Sequence, residues 1–132
     1  MHDHTETPTA EQILAKMTAE MGKTPEVMKL LSKIKPSMVQ EQARSMQFAN
    51  ADSSIPEKYR QLISVAAVAG SGTPSCLKVQ IGKALRLGAT ATEVVDTLVL
   101  SRFAVASTVF SNSLDGLRIH VDSLAEAAPQ DV

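Results

Sequence analysis

Three times along the chain a hydroxyl residue stands three positions ahead of a Gln or Glu at the head of an apolar-periodic run. These are Thr9-Ala10-Glu11-Gln12, Ser54-Ile55-Pro56-Glu57 and Thr90-Ala91-Thr92-Glu93. In each, the hydroxyl can accept from a free N–H of a first helical turn while the Gln or Glu side chain reaches back, so each predicts a helix start. Stop signals fall between them. The first helix is expected to run to about Met21 and end at Gly22. Thr24 then caps a second helix with Pro25 at its first position and Val27, Leu30, Leu31 and Ile34 as its stripe. Pro36 breaks that segment and opens a third helix, ending near Asn50. Tyr59 to Ala69 is apolar on nearly every side, as a central buried helix would be, and 70–75 reads as a tight, flexible connection. Cys76 falls in the first turn of the next helix, which stops at Gly88, a residue suited to a left-handed cap. The last apolar segment, Val94 to Phe110, is expected to bend or break around Ser107-Thr108 before an amphipathic stretch with Leu114, Leu117, Ile119, Val121 and Leu124. β-branched residues between 94 and 109 also suit a strand, but the capping signal and the length of the run favour helix. No strand-turn-strand punctuation occurs, so the chain reads as all-α with about six to seven helices.

Length and composition exclude several functions. The 132 residues fit a single domain over 9–127, between a disordered tail at 1–8 and a short tail at 128–132. Aromatics are 3% of residues and the net charge is -1, which provides neither a base-stacking platform nor a field for phosphate backbones, so no nucleic-acid partner is expected. The polar, acidic start is unlike a secretory signal. Uninterrupted apolar runs are short and broken by Ser, Asp and Arg, so no membrane span is expected. One cysteine, Cys76, cannot form an intramolecular disulfide, so the expected compartment is the cytoplasm. Helices this apolar in so small a chain call for a covering partner, hence a homo-oligomer.

The most informative stretch holds Ile55-Pro56-Glu57, then Thr73-Pro74-Ser75-Cys76-Leu77-Lys78-Val79-Gln80, then Leu87-Gly88-Ala89-Thr90-Ala91-Thr92-Glu93-Val94. Over roughly residues 50–115 it resembles the carboxymuconolactone decarboxylase and AhpD-like alkylhydroperoxidase family. There a Cys-x-x-Cys-x-x-x-His helix is followed by a Gly-Ala-[Ser/Thr]-x-x-Glu joint. The resemblance implies an AhpD-like helical domain, a trimer or hexamer, no cofactor, and a Cys pair served by a Glu and His proton relay. The second cysteine of that pair falls on Cys76. The first falls on Thr73, the relay histidine on Gln80, the relay glutamate on Gln61, and a further histidine found in some members on Ser75. Four of the five positions have therefore lost the redox or acid–base group. A Thr cannot resolve a sulfenic acid and a Gln cannot shuttle a proton at neutral pH, so chemistry at Cys76 requires an external thiol reductant or another subunit. Glu57, one turn before Gln61, is the substitute carboxylate to weigh against a plain helix-start role. For Cys76 the helix N-terminus favours a thiolate, and the competing reading is a small packed hydrophobe.

Other candidates are weaker. Arg102 interrupts an apolar run and suits either a substrate carboxylate or a pairing across a subunit interface. His2 and His4 lack a third ligand at metal-site spacing, so no metal is expected, and His120 reads as a surface residue. Three functions fit these residues: a thiol-dependent peroxidase or disulfide reductase at Cys76; a lactone decarboxylase with Arg86 or Arg102 receiving substrate carboxylates; and a non-catalytic oligomer that binds a small molecule or protein.

Overall fold

A computed structural model describes residues 6–127; His2 and His4 lie outside the described residues, as do 1–5 and 128–132. Six α-helices and no strand occur among the described residues: α1 Ala10–Met21, α2 Glu26–Ile34, α3 Pro36–Asn50, α4 Glu57–Ser71, α5 Pro74–Arg86 and α6 Ala91–Ala127. The all-α expectation is met, at the lower of the two helix numbers. The chain divides into two compact units, one ending at Gln61 and the other starting at Leu62, so the division falls within α4.

In the first unit, the Thr9 box forms in both directions. The Gln12 N–H donates to Thr9 Oγ1 at 3.2 Å and the Thr9 N–H to Gln12 Oε1 at 2.9 Å. Gly22 ends α1 at φ 78, a left-handed conformation that costs a residue with a Cβ. Thr24 does not cap α2. The Thr18 hydroxyl donates its one proton to the Leu14 carbonyl, so the Thr24 hydroxyl, 2.5 Å from it, donates to Thr18. Pro25 takes the N-cap position instead, with no side-chain bond. The stripe of α2 is also largely uncovered, since Val27, Leu30 and Ile34 are exposed. Pro36 opens α3 as expected. Ile13 and Val39 are the buried apolar residues of α1 and α3. Arg60 fastens the head of α4, its Nε donating to Asn50 Oδ1 at 3.2 Å and its Nη1 to the Ile55 carbonyl at 2.5 Å.

The second unit is built on Leu62, Val65, Ala84, Ala89 and Val94, with Leu77, Ile81 and Leu98 packed around them. α4 does not stop near Gly70. It continues through Ser71, and the connection to α5 shortens to Gly72, at φ 74, and Thr73. Nor is α4 buried all round: Val65 has no exposure, while Ile63 is 54% exposed. Gly88, at φ 92, follows the C-cap of α5. There the Ala89 N–H reaches the Ala84 carbonyl at 3.0 Å and the Gly88 N–H the Leu85 carbonyl at 3.1 Å, the paired bonds of a Schellman ending. The Thr90 box forms in full and starts α6.

The expected break at Ser107-Thr108 is absent, and α6 runs unbroken for 37 residues. No Gly or Pro stands between Ala91 and Asp115. The hydroxyls that suggested a break bond back to the helix: Ser107 donates to Phe103 O at 2.9 Å and Thr108 to Val105 O at 2.6 Å. Fusion of the two segments makes Ala91–Leu124 long and apolar enough, by length and composition, to cross a membrane. Counting only uninterrupted apolar runs misses this property.

Candidate functional site

The candidate residues fall into three groups, two of them within the second unit. The first lies at the head of α5. Pro74 supplies a preset φ and has no N–H to lose, so α5 starts there and Cys76 is its third residue, in the first turn. Its thiol is free and exposed. Ser75 is exposed beside it, and Gln80, one turn further along the same face, is half-buried. Lys78 is exposed.

Thr73 occupies the N-cap of α5 but makes no side-chain cap bond. Ser71 Oγ donates its single proton to the Val68 carbonyl at 2.8 Å, so the Thr73 hydroxyl, 3.1 Å away, donates to Ser71. The first bond of the helix runs from the Leu77 N–H to the Thr73 carbonyl at 2.9 Å. The N–H groups of the first turn, Cys76's among them, thus receive no hydroxyl from Thr73.

The second group lies on α6. Arg102 lines an open groove of about 340 Å³ with Ala69, Gly70, Leu98, Ser101, Val105 and Ala106. Ser101 Oγ donates to the Ala66 carbonyl at 2.8 Å, which ties α6 to α4. A Cβ on Gly70 would lie 3.1 Å from Val105 Cγ2, so glycine is what admits this close approach. Neither Cys76 nor Arg86 lines this groove, which leaves Arg102 as its single basic residue. A lactone decarboxylase substrate at this groove would therefore meet Arg102 without Arg86, which counts against that reading.

The third group, on α4, belongs to the first unit. Glu57 is exposed in the first turn, where a carboxylate is favourable to the dipole, and Gln61, four residues on, is 6% exposed. Sequence reasoning placed Cys76, Thr73, Gln80 and Arg102 on the correct elements. It missed Ser71 and Ser101, whose roles arise from contacts, although the spacing of Ser71 and Thr73 allows a hydroxyl pair. His120 is exposed on α6, as expected of a surface residue. Among the described residues no cluster of His, Cys, Asp and Glu is arranged to hold a metal.

Residues 39–118 match the sequence profile of the Carboxymuconolactone decarboxylase family. No curated protein sequence matches the chain. The matched span contains the positions of all three groups, and it leaves out His120, α1 and α2.

Proposed function

The chain belongs to the carboxymuconolactone decarboxylase family, and from that premise we propose that it is a single-cysteine, thiol-dependent oxidoreductase with Cys76 as nucleophile. The observation that carries this reading is the setting of Cys76: an exposed thiol in the first turn of a helix whose N-cap residue makes no side-chain capping bond. A peroxide can reach such a sulfur from solvent.

The chemistry balances without a second cysteine. Cys76 attacks the terminal oxygen of a hydroperoxide, the O–O bond breaks, the alcohol leaves, and Cys76 becomes a sulfenic acid. An external thiol attacks that sulfur, releasing water and forming a mixed disulfide. A second external thiol then frees Cys76 and leaves as the oxidised disulfide. Thr73 cannot resolve the sulfenic acid, and its hydroxyl is directed at Ser71. Gln61 and Gln80 hold the two relay positions without titrating, so solvent or the external thiol carries the protons.

The test is consumption of cumene hydroperoxide with dithiothreitol as reductant. Turnover by the native protein and its loss in Cys76→Ser support the proposal. Equal rates for the two proteins would refute it.

The Arg102 groove supports a second reading, a non-catalytic scaffold that binds a small apolar carboxylate. In that case Arg102→Ala weakens binding of a probe such as benzoate while Cys76→Ser leaves it unchanged.

A further inference from the structure

The large apolar residues of α2 divide between two sides of the helix. Met28 and Leu31, with Ser32, are half-buried where α2 packs on α1 and α3. Val27, Leu30 and Ile34 fall within an arc of about 60° around the helix axis. They are exposed by 61%, 58% and 71%, so their own unit leaves this edge open.

Lysines surround the edge. Lys29 and Lys33 stand one turn apart beside it, and Lys23 and Lys35 flank the two ends of the helix, all four exposed. Between Gly22 and Gln40 the only acidic residue is Glu26, in the first turn, where a carboxylate suits the helix dipole. The next carboxylates along the chain are Glu20 on α1 and Glu41 on α3, and Glu41 is paired with Arg44. The net charge of -1 over the whole chain averages this local excess of lysine away.

Size, packing and charge choose between occupants. Three side chains over about 10 Å of helix fall far short of the roughly 800 Å² that each side of a stable protein interface supplies. A partner groove that takes up a helix reads anchors at i, i+3, i+4 and i+7, and the third of these, Leu31, is already half-buried within the first unit. A flat anionic surface asks for less: a shallow apolar edge with cations beside it on the free side of a helix.

We propose that α2 is a peripheral contact for an anionic lipid bilayer. Val27, Leu30 and Ile34 enter the boundary between headgroups and acyl chains, and Lys23, Lys29, Lys33 and Lys35 face the lipid phosphates. So short an edge makes the contact reversible and dependent on anionic lipid. α2 lies outside residues 39–118, so the contact is separate from what the family match carries and from the chemistry at Cys76.

The experiment is flotation of the full chain with vesicles of phosphatidylcholine, alone or mixed with phosphatidylglycerol, under reducing conditions. The wild type floats with the mixed vesicles and not with phosphatidylcholine alone, and added salt releases it. Each lysine near an anionic surface multiplies partitioning about five-fold, so Lys29→Gln/Lys33→Gln weakens binding about thirty-fold. Arg118→Gln removes an exposed cation from α6 and leaves binding unchanged. The chain has no Trp, so Leu30→Trp reports on the edge itself, and its emission shifts to the blue on mixed vesicles. A wild type that floats with neither vesicle overturns the proposal, as does a double variant that floats as well as the wild type. A Leu30→Trp protein that floats without an emission shift places the contact on another face and overturns it too. So does a wild type that ignores vesicles while Ile34→Glu lowers its mass in light scattering, because a second copy then covers the edge.

Discussion

At the scale of the residue, the account turns on how hydroxyls and a single thiol share the head of α5. Pro74, read from sequence as part of the connection, is the first residue of α5 and fixes Cys76 in its first turn. The behaviour of Thr73 was not legible. Its hydroxyl bonds to Ser71 because α4 runs on through Gly70 and Ser71, where Gly70 lies close to Val105 of α6. Thr24 misleads in the same way, since a neighbouring hydroxyl outcompetes the cap. Thr73 stands three residues before Cys76, so a cysteine there is within reach of a disulfide. Thr73→Cys should therefore convert peroxide-treated protein from a dimedone-reactive sulfenate to an intramolecular disulfide. Mass spectrometry reads this as loss of the dimedone adduct and a decrease of two hydrogens.

At the scale of the element, caps and glycines carry the topology. Gly88 is left-handed with open space where a Cβ would stand, so the cost of Gly88→Ala is conformational and not steric. It should destabilise the fold by about 1–2 kcal/mol in urea titration. Thr90→Ala removes the hydroxyl that receives the Glu93 N–H and should cost about 1 kcal/mol. Both features stood out in the sequence because they are local: the partners lie within a few residues. The continuity of α6 did not stand out. Ser107 and Thr108 are weak helix formers and not breakers, and their hydroxyls bond back to the preceding turn while the helix continues.

At the scale of the whole molecule, the family and the all-α class were readable, while the exposure of the helices was not. Each unit buries few large side chains, and much apolar surface on α2 and α6 remains open. A pattern along one chain marks a residue as apolar but does not specify whether its face is covered. If assembly supplies the missing cover, the thermal midpoint should rise with protein concentration, as mass action requires, and a concentration series by calorimetry checks it. Val65→Ala, at a position with no exposure, should cost about 2 kcal/mol by comparison with other large-to-small core changes. The activity remains a property of one site on this scaffold, and it is tested most directly by the rate at which hydrogen peroxide makes Cys76 reactive to dimedone, in native and in urea-unfolded protein. The account predicts faster labelling in the native protein, because a catalytic thiol draws its reactivity from the folded site around it. Labelling that is equally fast or faster in the unfolded chain would mean that the fold adds nothing to the thiol, and would contradict the account.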